Sequence, residues 1–104
     1  MRKAKVFNFG VVCGILEETV PNKQYVFRYG KEYTGAPVSL TMPVANTEYR
    51  FDEFPPFFDG LLPEGFNLEA MCRRLKIDRD DSFEQLLASG KDVVGSVSVE
   101  AYNE

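Results

Sequence analysis

Histidine and tryptophan are absent from these 104 residues. Most nucleophile–base pairs and general-base schemes use histidine, so hydrolase chemistry loses its commonest base. With no Cys-x-x-Cys either, the usual zinc and copper sites are excluded. The two cysteines, Cys13 and Cys72, lie far apart and are expected as free, partly buried thiols rather than a disulfide. No apolar run approaches about 18 residues and no signal-peptide pattern opens the chain, so no membrane segment and a cytoplasmic location are expected. Clustered basic charge is scarce: Arg2-Lys3-Lys5 and Arg73-Arg74-Lys76 do not form a stripe in a chain of net charge −4. Backbone binding to nucleic acid needs such clusters, and direct contact with DNA or RNA is not expected. Neither glycine-rich phosphate signature occurs, and Phe58-Asp59-Gly60 matches the kinase magnesium triplet without the loops that accompany it. The carboxylates Asp52-Glu53, Asp59, Glu64 and Asp80-Asp81 lack the EF-hand spacing. No metal, no cofactor and no enzymatic activity are therefore expected.

What is present is aromatic and apolar mass sufficient for one core. The aromatic share is 13 %, too high for disorder, and the length fits a single domain over 1–104. Ala4, Val6 and Asn8 alternate with Lys5, Phe7 and Phe9 as a strand does, Gly10 offers a turn, and Val11 to Glu17 completes a hairpin in which Gly14 marks a bulge or a close backbone contact. After a polar turn over 18–23, Tyr25, Phe27 and Tyr29 share one face of a third strand. Val38, Leu40 and Met42 alternate with Ser39 and Thr41 between Pro37 and Pro43, predicting a fourth strand, and 44–53 reads as a connection.

The densest stretch is Phe54 to Asn67, with four phenylalanines, two leucines, three prolines and two glycines. Pro55 and Pro56 suit a first helical turn. Phe57, Phe58, Leu61 and Leu62 then fall on one face of a short helix, expected in the core, that Gly60 weakens and Pro63 ends. Asn67 is the expected N-cap of a second helix with the stripe Leu68, Met71, Cys72, Leu75 and a Glu69–Arg73 pair. Ser82 and Gln85 have capping-box spacing for a third helix burying Phe83, Leu86 and Leu87 and stopped by Gly90. Val93-Val94 and Val97-Val99-Ala101 form a last strand that joins the early sheet. The fold class is α+β: a mainly antiparallel sheet of about five strands with two to three short helices on one face.

Phe57-Phe58-Asp59-Gly60-Leu61-Leu62-Pro63-Glu64-Gly65, preceded by Pro37 to Pro43 and followed by Met71-Cys72-Arg73-Arg74-Leu75, closely resembles the N-terminal subdomain of HipA-type serine/threonine kinases. In that family the subdomain is normally fused to a kinase core, and this chain stops where the core would begin. A free-standing copy resembles the HipS-type antitoxins of three-component HipBST systems. The resemblance implies binding and inhibition of a shortened HipA-like kinase toxin, HipT, within a complex that also holds HipB, a helix-turn-helix DNA-binding protein. Two other roles stay open: a scaffold or co-repressor linking the kinase to HipB, and an activating subunit of the kinase. The expected kinase-facing tip is Pro63-Glu64-Gly65-Phe66-Asn67, with Asp59. There Phe66 sits in a rigid turn between helices and Glu64 faces a basic group of the kinase. The alternative for Phe66 is a hydrophobic staple packed on Met71.

Overall fold

The computed structural model describes residues 2–92 and 95–102. Five antiparallel strands form one sheet: β1 (Lys3–Asn8), β2 (Val11–Val20), β3 (Gln24–Tyr29), β4 (Glu48–Phe51) and β5 (Val97–Ala101), in the order β4-β3-β2-β1-β5. Three helices, α1 (Pro56–Asp59), α2 (Gly65–Leu75) and α3 (Ser82–Ser89), separate β4 from β5, and a single 3-10 turn, Gly90–Asp92, follows α3. The expected fold class is what the chain adopts. Ala4, Val6, Leu16, Phe27 and Val99 on one sheet face share a core with Phe58 of α1, with Leu62 just after it and with Phe83 and Leu86 of α3. The opposite face carries polar pairs instead, Arg28 bonding Glu17 (3.0 Å) and Glu48 (2.9 Å).

The β1–β2 hairpin forms with its first strand one residue earlier than the alternation predicts. Asn8 pairs with Val11, so Phe9 and Gly10 are the two turn residues, with φ of 52° and 80°. Two positive φ values let so short a turn follow the strand twist. Glycine takes the second position freely, but holding a phenylalanine in the first costs about 1–2 kcal/mol. Gly14 does both things expected of it. The register slips beside it, Val6 facing Gly14 and Phe7 facing Val12, and a Cβ there would overlap the Arg28 carbonyl oxygen.

β2 runs to Val20, three residues past the predicted end, because the carboxylate of Glu18 is satisfied inside the fold. Arg2 grips it through Nε (2.8 Å) and Nη2 (2.7 Å) and also reaches Asp81 (2.9 Å) and Glu84 (3.5 Å). The guanidinium lies 5.1 Å from the Phe83 ring centroid, so one side chain ties β2 to the start of α3. Asp81, not Ser82, caps α3, accepting from the Glu84 N–H at 3.3 Å. Gln85 is buried and donates to the Asp78 and Arg79 carbonyls, which removes it from the predicted capping box. Burial pushes Glu18 and Asp81 upward, but the Arg2 bonds, the backbone N–H bonds and the Arg2 charge outweigh it and hold both below their ordinary ranges. Such lowered groups stabilise the fold above the ordinary carboxylate range, and that contribution fades as pH falls through their folded-state values. Arg2→Met is therefore expected to cost about 2 kcal/mol at neutral pH and to raise the pH of acid unfolding. Circular dichroism titration checks both, and coincident acid transitions in parent and variant would refute the clasp.

The predicted fourth strand is not one. Residues 38–42 are irregular, and Leu40 is 94 % exposed. Their backbone is taken by a side chain: the buried Tyr29 hydroxyl donates to the Met42 carbonyl and accepts from the Val38 N–H at 3.1 Å. Tyr33 and Tyr49 similarly bond the Ala36 and Pro43 carbonyls, so 30–47 is pinned by three tyrosines without a ladder. The fourth strand comes later, inside the expected connection, where Tyr49 and Phe51 face Phe27 and Tyr25 and Glu48 and Arg50 face out. At the far edge, β5 joins β1 as expected, Val99 pairing with Val6. The Val93-Val94 part of the predicted strand lies outside the described residues. Gly90 ends α3 where the chain meets β5 so closely that a Cβ would sit 2.7 Å from that of Val99.

Cys13 and Cys72 are both free and buried. The Cys13 thiol donates to the Val6 carbonyl (3.3 Å), and burial pushes it up to about 11, so it stays a neutral core residue.

Candidate partner-binding surface

α1 is set by its prolines. Pro55 holds the N-cap position at φ −58° and Pro56 opens the helix, where a missing N–H costs nothing. The helix ends at Asp59, one turn long, but two further bonds, Leu61 N–H to the Phe58 carbonyl and Leu62 N–H to the Asp59 carbonyl, each 3.1 Å, carry the chain round. Phe58 and Leu62 are buried, and Phe57 and Leu61 pack against the same core, as their spacing implies. Asp59 is left exposed.

α2 starts two residues before the predicted cap. Glu64 occupies the N-cap position in extended geometry, Gly65 is left-handed at φ 55°, and Asn67 lies inside the first turn, its N–H donating to the Glu64 carbonyl at 3.2 Å. The left-handed Gly65 makes the sharp entry that a cap at Asn67 would otherwise have made. Phe66 thus belongs to the helix's first turn rather than to a separate inter-helix loop. It does not staple onto Met71: the residue is 82 % exposed while Met71 and Cys72 are buried. Glu64, Gly65, Phe66 and Asn67 are exposed together, Pro63 is half-buried behind them, and Leu62 anchors the segment in the core. Glu69 bonds Arg79 at 2.8 Å rather than the predicted Arg73, tying the helix to the loop before α3.

The surface is an exposed aromatic ring with a carboxylate two residues before it, held by proline, a left-handed glycine and a buried leucine. Residues 4–100 match the family described as the HipA N-terminal domain. The chain belongs to that family. A solved structure described as the N-terminal domain of HipA toxin is 31 % identical, with a TM-score of 0.79 over 100 % of this chain and 95 % of that one. An uncharacterized protein of Haemophilus influenzae is 32 % identical over 100 residues, 96 % of this chain and 92 % of its own length. Residues 4–100 are thus a HipA N-terminal domain, and no helix among the described residues is long and apolar enough to cross a membrane.

In this HipA N-terminal domain a second exposed apolar group escaped the sequence reading. Phe9, Val11 and Val12 stand exposed at the β1–β2 turn. With Tyr33 and the loop 30–36 they line a cavity of about 820 Å³. The signal was available: Phe-Gly fills a turn whose two left-handed positions favour Asn-Gly.

Proposed function

We propose that this HipA N-terminal domain is the antitoxin of a toxin–antitoxin system, acting in the cytoplasm without enzymatic activity of its own by binding and inhibiting a HipA-like serine/threonine kinase, HipT. The observation that carries the reading is Phe66, 82 % exposed on a turn whose neighbours fix its direction. An exposed phenylalanine lowers solubility and adds nothing to its own fold, whereas a preorganised aromatic anchor is what a protein interface uses. A fused domain meets its kinase at the millimolar-scale effective concentration of a linker, and a separate one must bind through contacts of this kind.

Co-expression with a HipA-like kinase that lacks this domain, taken from the same genome, is the test. The expected result is a complex that co-purifies, with phosphoryl transfer suppressed at saturating amounts of this protein. Undiminished transfer overturns the inhibitor. If the chain is then needed for HipB and kinase together to shift operator DNA, its role is that of a scaffold or co-repressor, and a gain in transfer makes it an activating subunit.

A further inference from the structure

α2 seats one side on the domain and turns the other outward. Its burial is carried by Met71 and Cys72, with Leu68 half-buried beside them. Phe66, Ala70 and Arg73, spaced i, i+4 and i+7, fall on the opposite side of the helix, and Arg74 follows Ala70 by four. All four are exposed. The ring and the two arginines therefore share a face, with only an alanine between them. Among the described residues neither arginine side chain forms an ion pair or hydrogen bond, since the Glu69 carboxylate is held by Arg79 at 2.8 Å. The macrodipole favours cations in this last turn whichever way they point around the axis. Here both point to the side of Phe66, which makes that face locally positive in a chain of net charge −4.

We propose that this outward face of α2 continues the contact begun at Phe66, and that the kinase meets it with an apolar pocket for the ring and carboxylates for Arg73 and Arg74. This rests on the reading of the chain as a kinase-binding subunit. Seven residues of helix set the carboxylates about 10 Å along the axis from the pocket. Ala70 leaves room between them for the partner's surface to approach the helix backbone. Charge names the occupant. The planar guanidinium pairs with a carboxylate through two parallel hydrogen bonds, and aromatic residues with arginine are what the core of a protein interface collects. A nucleic acid would also attract arginine, but it needs a longer basic stripe, and here Glu64 and Glu69 flank the ring on the same segment. A protein surface bearing a few carboxylates fits both the reach and the mixed charge.

Calorimetric titration of a purified HipA-like kinase that lacks this domain, from the same genome, with the full chain tests this at low and at high salt. Arg73→Glu is expected to weaken binding at least about tenfold at low salt and Arg73→Gln about threefold, both losses shrinking at high salt as screening removes the attraction. Their thermal midpoints should stay within about 4 °C of the parent's, because only the helix-end contact is lost, and this separates lost contact from lost fold. Arg50→Glu, on the outward face of the sheet, changes net charge by the same amount and should bind like the parent; a loss equal to that of Arg73→Glu would trace the effect to net charge and overturn the proposal. If Arg73→Glu and Arg74→Glu bind like the parent while Phe66→Ala does not, the α2 face is wrong and the proposed function survives. If the parent does not bind the kinase, the function itself fails, and this inference with it. Binding of a duplex oligonucleotide by the parent that Arg73→Glu abolishes assigns the arginines to nucleic acid, and a dimer that Arg73→Glu dissolves, seen by light scattering, assigns them to a second copy; either overturns the kinase as occupant.

Discussion

Replacing Gly14 by alanine is expected to cost at least about 3 kcal/mol and to lower the thermal midpoint by roughly 12 °C or more. A Cβ at this position would overlap the Arg28 carbonyl oxygen and sit 3.0 Å from Phe27 Cζ. Neither can yield cheaply. The carbonyl belongs to β3, the neighbouring strand near the centre of the sheet, and Phe27 is fully buried among Tyr29 and Phe58. Relief would need β2 and β3 to separate where the Val6–Gly14 register already shifts. Gly60→Ala is the control: its Cβ would make ordinary contacts of 3.4 Å and 3.6 Å at a right-handed φ of −65°, so stability should change by less than about 1 kcal/mol. Thermal melts of the two variants decide the matter, and a parent-like midpoint for Gly14→Ala would show that the strands part more easily than their packing implies.

Phe66→Ala is expected to weaken kinase inhibition about a hundredfold, close to 3 kcal/mol, with the thermal midpoint moved by no more than about 2 °C. The contrast follows from exposure. A ring that is 82 % exposed contributes little to its own fold, yet its direction is fixed by the Leu62 anchor and the left-handed Gly65. Such a side chain has most of its contact area still to bury and little freedom left to lose on binding. Dose–response curves of phosphoryl transfer against parent and variant measure the loss, and equal potency would remove Phe66 from the interface while leaving inhibition by another surface to be located.

The elements that reasoning from residues finds are those in which one periodicity dominates. Ala4, Val6 and Asn8, and Tyr25, Phe27 and Tyr29, alternate because one sheet face packs the core, and burial follows that pattern in β1 and, apart from the buried Val26 on the other face, in β3. Val38 to Met42 alternates as cleanly and forms no strand, because period two records spacing and is blind to a tyrosine hydroxyl that takes the carbonyl a ladder would need. Glu48 to Phe51 is a strand of only four residues, and its polar half blends into the segment before it. Helix starts slipped for a similar reason: Asn67 and Ser82 are chemically good caps, but a left-handed Gly65 and an Arg2-bound Asp81 act earlier. Arg2 and Asp81 lie 79 positions apart, and no local pattern joins them. At the partner surface the chain's punctuation located the turn, while the exposure of Phe66 depended on where Met71 and Leu62 are buried. The hairpin-tip group was hidden because Phe9 continued an alternation that in fact stops at Asn8.

The order β4-β3-β2-β1-β5 has a kinetic consequence. β1 meets β2 across a two-residue turn, but its other neighbour pairs Ala101 with Ala4, about a hundred positions along the chain. Hairpins close in microseconds, whereas pairings of such high contact order are searched for slowly. Before β5 docks, the growing polypeptide displays β1 as an open template for stray strands, and the ribosome must deliver the chain through Ala101 before that template is covered.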